Sequence, residues 1–375
     1  MHDFIPIAKP YIGTEEADAV YSQIKSGWIT MGAKVSEFEK QIEAYLEVKH
    51  AVAFSNGTAT LHAALLALGI KEGDEVLIPS LSYISSANTV LFCNATPVFV
   101  QENPRTFNVD AHSFEEKISK KTKAIMAVDL KGMPIDYDEI NRISKKHEIP
   151  VIADSAESFG AKYKEKPVGS QALVHSFSMF ANKSITCGEG GFITTNDDTI
   201  AEFCRCFRNQ GQSRRYEHVI VGHNYRMTDL AATFAIEQLK RVEWFMEQKK
   251  YIAEQYFELF KDDDLIAAPY VPDYVTRHSW YMYCVKVNEK IDRDHMISIM
   301  KDNGVDHRLS FPLIPLQPVY RDLFGYKEGD FPVSEKIFRE FVDIPCWVGM
   351  KDEHIQKVAF IVKRAAVKAL NLKEP

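Results

Sequence analysis

Pro150-Val151-Ile152-Ala153-Asp154-Ser155-Ala156-Glu157 is the stretch on which the fold turns. An unbroken apolar run leads to a carboxylate, with no polar residue alternating inside it. Such a strand is covered on both faces, the mark of a parallel sheet enclosed by helices. The pattern recurs upstream at Ala51-Val52-Ala53-Phe54, Glu75-Val76-Leu77-Ile78-Pro79, Pro97-Val98-Phe99-Val100 and Ala124-Ile125-Met126-Ala127-Val128. Between these runs the spacing predicts helices from Ser55-Asn56-Gly57-Thr58 to about Gly69, over 85–93 and over 136–146. Strand and helix in alternation predict an α/β fold of three layers, helices on both sides of a mostly parallel sheet.

Two helices are predicted ahead of the first strand, over 14–26 and 36–47. The second opens on Ser36-Glu37-Phe38-Glu39, which reads as a capping box. Beyond residue 228 the character changes. Two long helices follow, over 229–242 and 243–261, the second broken by Asp262-Asp263-Asp264. A strand near 280–285 and helices over 292–303 and 351–370 complete the chain. A length of 375 residues favours two domains. The division predicted is a large cofactor-binding domain over 1–245, with its N-terminal segment, and a smaller C-terminal α+β domain over 246–375.

Composition narrows the function. The formal net charge is −7, which disfavours a nucleic-acid partner. Six cysteines form no C-x-x-C pair, so reduced thiols are expected and a zinc site is not. No targeting segment and no apolar run of about 18 residues is found, and a cytoplasmic location without membrane contact is expected.

In such sheets ligands sit at the carboxyl ends of strands, and four features converge there. Ser55-Asn56-Gly57-Thr58 sets free N–H groups and a hydroxyl at a helix start, an anion site; an ordinary N-cap turn has the same look. Asp154 closes its strand and can pair with a protonated ring nitrogen, or simply cap the next helix. Tyr83 follows a strand end and can cover a planar ring, or be core. Lys183 lies in an apolar and small-residue run, Ser176-Phe177-Ser178-Met179-Phe180-Ala181-Asn182-Lys183-Ser184-Ile185-Thr186-Cys187-Gly188-Glu189-Gly190-Gly191. Desolvation there is expected to lower its pKa and make it a nucleophile able to form a Schiff base. Together these are the parts that hold pyridoxal 5'-phosphate. A Lys that can carry a proton between two carbons makes the expected reaction transamination.

These motifs resemble the DegT/DnrJ/EryC1/StrS sugar aminotransferases, on the fold of aspartate aminotransferase (fold type I), over roughly residues 5 to 370. Ser26-Gly27-Trp28-Ile29-Thr30, Gly73-Asp74-Glu75-Val76 and Gly222-His223-Asn224-Tyr225-Arg226-Met227-Thr228 also carry the likeness. Within the family the Phe180 to Gly191 run and Arg208-Asn209-Gln210-Gly211-Gln212 are similar to GDP-perosamine synthases. The resemblance implies L-glutamate as amino donor and a GDP-linked 4-keto-6-deoxy sugar as acceptor, for surface polysaccharide. It implies Lys183 as the Schiff-base residue and Asp154 as the partner of the ring nitrogen. Gly57, Thr58 and Ser178 would hold the phosphate, Tyr83 would stack on the ring, and Glu157 would lie at its hydroxyl edge. Asn224 would reach the phosphate of a second subunit, making a homodimer with shared sites. Trp28, Asp129, Lys131, Arg226 and Arg308 are the expected substrate contacts. Relatives with His in place of the Lys are dehydratases, so Lys183 favours transamination.

The chain departs from the perosamine pattern in two places. Asp129 occupies a position where the family often has His, with Lys131 where Tyr is common. Pro315 falls where a C-terminal loop often carries His. These departures raise a second acceptor class, a small phosphorylated keto compound. A non-catalytic regulator is disfavoured by the intact Lys183 and the lack of a basic patch.

Overall fold

The structure, a computed structural model, describes residues 4–309 and 311–370. Residues 1–3 of the sequence start and Ser310 of the C-terminal loop lie outside it. Seven strands form the central sheet: β1 (His50–Phe54), β2 (Glu75–Pro79), β3 (Thr96–Val100), β4 (Thr122–Val128), β5 (Val151–Asp154), β6 (Val174–Ser178) and β7 (Gly191–Thr195). Their order is β1-β7-β6-β5-β4-β2-β3. All neighbours are parallel except β7, which runs antiparallel to both β6 and β1. The link from β6 to β7 contains no crossover helix, so the chain returns alongside in the opposite sense.

The continuous apolar runs have the expected cause. Val76 and Ile78 of β2, with Ala124 and Met126 of β4, enter one core; Leu77, Ile125 and Ala127 enter another. Each face is covered, so the middle of each strand is apolar, and the polar residues Glu75, Thr122 and Lys123 fall at the strand starts. The helix Gly57–Ala67 lies on the first face, and Tyr137–His147 on the second.

One local expectation fails. The second helix spans Ala33–Leu46, so Ser36 sits inside its first turn and Ser36-Glu39 is no capping box. The cap comes from far along the chain: Asp229 accepts from the N–H groups of Gly32, Lys34 and Val35 at 2.7, 3.2 and 3.1 Å. Glu39 is buried and accepts from Ala53 N–H at 2.8 Å and from Arg208.

The long helix Val242–Phe260 joins two cores. Phe245 and Met246 pack with the helices beside β1, whereas Ile252, Tyr256 and Phe260 pack on the strands Tyr283–Val287 and Phe341–Ile344 and the helix Asp352–Ala369. Among the described residues no helix is long and apolar enough to cross a membrane.

Candidate active site

The carboxyl ends of β1, β2, β4, β5 and β6 open on one cavity of about 710 Å³. Phe54 leads into Asn56, whose side chain accepts from Ala59 N–H at 2.9 Å and starts the helix Gly57–Ala67. Among the described residues the N–H groups of Gly57 and Thr58 find no acceptor, and both residues line the cavity. Gly57 has no room for a side chain: a Cβ there would come within 2.9 Å of the Ser178 Cβ. Free N–H groups at a helix start, with backbone this close, suit an anion.

Asp154 and Glu157 come from the end of β5. Asp154 accepts from the Ser86 hydroxyl at 2.9 Å and from Ala156 N–H at 3.3 Å. Burial pushes its carboxyl up to about 6, and Ser86, Ala156 and the Lys183 charge pull it back only in part. A buried acid so placed gains from a cation beside it. Glu157 accepts from Lys131 N–H at 2.7 Å and faces Lys183 Nζ at 3.5 Å.

Lys183 follows β6 in a loop pinned at both ends, Met179 N–H to Gly190 and Cys187 N–H back to Met179. Its side chain is only 12% exposed. Nζ lies 4.2 Å from the centre of the Tyr281 ring. The expected lowering of its pKa is not found. Burial pulls the ammonium down, but Tyr281, Glu157 and Asp154 together hold it above the ordinary Lys range. The free amine therefore has to be made by removing or engaging those partners.

Gly57, Thr58, Tyr83, Asp154, Glu157, Ser178, Lys183 and Arg308 all line the cavity. Tyr83 is 57% exposed at its mouth, edge-on to Phe311 at 5.5 Å. The other expected positions lie elsewhere. Trp28 is exposed beside the second helix, Asn224 is exposed, and Arg226 donates to Asn209 at 2.9 Å. Asp129 and Lys131 are not in position to touch a substrate. Asp129 is fully buried and accepts from Ile135 N–H, Tyr137, Ser155 and Ser158 at 2.7–2.9 Å. Four donors converge on it because it ties the turn after β5 to the loop after β4. Lys131, at φ +61°, is buried and paired with Asp343 at 2.5 Å. Pro315 is likewise buried.

Sequence reasoning missed Asn182, Tyr281 and Phe311. The Tyr281 hydroxyl lies 3.1 Å from the Asn182 amide and receives Arg308 Nη1 at 3.3 Å. No local motif marks Tyr281, since its contacts with Asn182 and Lys183 lie about 100 residues upstream and that with Arg308 lies 27 residues downstream. Asn182 is adjacent to Lys183, and that adjacency is the signal that could have found it.

The DegT/DnrJ/EryC1/StrS aminotransferase family profile matches residues 10–363. The chain belongs to that family. It is 40% identical over 360 residues to a GDP-perosamine synthase from Caulobacter vibrioides, covering 94% of this chain and 96% of that one. A putative sugar aminotransferase from Streptococcus pneumoniae, solved in its PMP form, superposes with a TM-score of 0.94 at 27% identity, over 99% of this chain and all of that one. PseC of Helicobacter pylori, an aminotransferase involved in the biosynthesis of pseudoaminic acid, gives 0.92 at 26% identity, over 98% and 100%. As a member of this family the chain is a pyridoxal-phosphate-dependent sugar aminotransferase on fold type I. Its cavity fits that cofactor: free N–H groups at Gly57 and Thr58, the buried acid Asp154 and the amine of Lys183 all line it.

Proposed function

We propose that this chain moves the amino group of L-glutamate onto the keto carbon of a nucleotide-linked 4-keto-6-deoxy sugar, in the cytoplasm, for surface polysaccharide. The observation that carries the reading is Lys183 Nζ, 3.5 Å from Glu157 in a cavity that Asp154 also lines. The similarity to GDP-perosamine synthases supports this acceptor class.

When bound, pyridoxal phosphate supplies an electron sink that makes the donor's Cα proton acidic. Lys183 would hold the cofactor and, as a free amine, would take and return that proton. Glu157 and Tyr281 park its ammonium between turns. Asp154 would provide the negative charge that keeps the ring nitrogen protonated. Gly57, Thr58 and Ser178 would hold the phosphate, and Tyr83 would cover one face of the ring. Arg308 offers a guanidinium to a carboxylate or phosphate of the substrates. Val128, Leu130 and Phe311 keep the walls apolar and limit water. Trp28, Asn224 and Arg226, outside this cavity, are proposed to act toward the site of a second copy in a homodimer.

The phosphorylated-ketone alternative rested on Asp129, Lys131 and Pro315. All three are buried, with the two charged residues bonded to the protein itself, so no observation now favours it. The test is glutamate-dependent turnover against GDP- and UDP-linked keto sugars and simple keto phosphates. Activity on a nucleotide-linked keto sugar is expected; activity on keto phosphates alone would overturn the proposal.

A further inference from the structure

Lys249 is 6% exposed, in the middle of the helix Val242–Phe260. Its helix neighbours Phe245, Met246, Ile252 and Ala253 are buried apolar residues, and a Met would fill the same space. Burial pulls its pKa below the ordinary Lys value. Among the described residues no carboxylate pairs with it. Its Nζ instead donates to the carbonyl of Trp280 at 2.9 Å and reaches that of Tyr281 at 3.5 Å. A buried ammonium held only by carbonyls is costly, so the charge calls for a purpose.

The carbonyls it holds belong to an unusual turn. Trp280 has φ +50°, a left-handed conformation that a bulky residue adopts only under constraint. The turn is pinned on several sides. The His278 ring stacks on Trp280 at 3.9 Å and accepts its N–H at 2.8 Å. Ser279 N–H donates to Gly132 O at 3.0 Å, and its hydroxyl donates to Glu157 O at 2.9 Å. The next residue is Tyr281, whose ring lies against Lys183 Nζ at 4.2 Å.

We propose that Lys249 is a positioning residue: by clamping the Trp280 and Tyr281 carbonyls it holds the Tyr281 ring where it parks the Lys183 amine. This rests on Lys183 being the reactive amine. Lys249 touches neither substrate nor cofactor; it acts through Tyr281.

The test uses full-length Lys249→Met, Lys249→Arg, Tyr281→Ala and the Lys249→Met/Tyr281→Ala double variant. Two quantities are read. One is the single-turnover rate with glutamate. The other is the pH dependence of Lys183 acylation by a small anhydride in cofactor-free protein, followed by peptide mass spectrometry. Lys249→Met and Tyr281→Ala are each expected to slow the turnover about 10- to 100-fold, the size of a small misplacement near reacting atoms. The double variant should be no slower than the slower single, because one acts through the other. Tyr281→Ala should lower the pH at which Lys183 is acylated, because Tyr281 helps to hold its ammonium. Lys249→Met should shift it the same way through the displaced ring, whereas a shift to higher pH would report only the loss of a like charge near Lys183 and would overturn the proposal. Lys249→Arg should retain more rate than Lys249→Met. Multiplying effects in the double variant, or an unmoved Lys183 profile in Lys249→Met, would overturn the proposal. Should Lys249→Met fail to fold, the Lys249→Arg profile decides, because a clamp that keeps its charge and donors must leave Lys183 near its wild-type behaviour. Turnover surviving in Lys183→Ala would instead sink the underlying reading, whatever Lys249 does.

Discussion

The two walls of the cavity are built in different ways. The wall bearing Asp154, Glu157, Ser178 and Lys183 comes from two adjacent strand ends and the loop that follows them. A second wall, with Tyr281 and Arg308, comes from the second half of the chain. It is backed by buried charges, Lys249 on two carbonyls and Lys131 on Asp343. The first wall carries chemistry in its side chains; charges behind the second hold backbone in place. Arg308 shows the link, since its N–H and C=O pair with the backbone of Asp343 while its side chain lines the cavity.

If that division is right, the largest effect on stability should come from behind the second wall. Asp343→Ala leaves Lys131 buried without its carboxylate and should cost about 3–5 kcal/mol, read as a drop in denaturation midpoint. A variant with both Lys131 and Asp343 replaced by apolar residues should recover most of it. A drop no larger than that of a surface pair would show that these charges are not structural.

On the first wall Asp154→Asn should slow turnover about 10²-fold or more while the protein stays folded. The same variant makes a pH prediction. Burial raises the folded-state pKa of Asp154 from 3.8 to about 6, so between those values the folded protein binds more protons than the unfolded chain. Cofactor-free protein therefore loses stability as pH rises through this window, and the loss persists above it. Asn carries no such penalty. Cofactor-free Asp154→Asn should exceed wild type by up to about 3 kcal/mol at pH 8, at roughly 1.4 kcal/mol per unit, with the gain fading toward pH 4. A gain of equal size at both pH values would contradict this account.

The smallest effect belongs to the rim. Tyr83→Ala should weaken cofactor affinity by only about three- to tenfold, measured by equilibrium titration, because the ring contributes a face contact from a half-open position.

What the sequence disclosed follows the same division. Continuous apolar strands and their terminal residues are local facts, so the sheet and the gathering of Gly57, Thr58, Asp154 and Lys183 at its strand ends were legible. The strand β7 was not, because an antiparallel return depends on the length of a loop and not on a residue pattern. The helix cap at Asp229, the Lys131–Asp343 pair and the Tyr281 turn each join residues about 100 or more apart, and no window of sequence contains both partners. Asp129 and Lys131 were misread as substrate contacts for that reason: a charge near a strand end looks available until its distant partners are seen. The raised pKa of Lys183 has the same origin, since Tyr281 outlies its neighbourhood in sequence.

Lys183 is proposed to be the residue that holds the cofactor covalently. Borohydride reduction of the yellow holoenzyme, followed by digestion and peptide mass spectrometry, tests it most directly. A single phosphopyridoxyl adduct is expected, on the peptide carrying Lys183, and none in Lys183→Ala. An adduct on Lys249 or another lysine, or no adduct in protein that binds the cofactor, would contradict it.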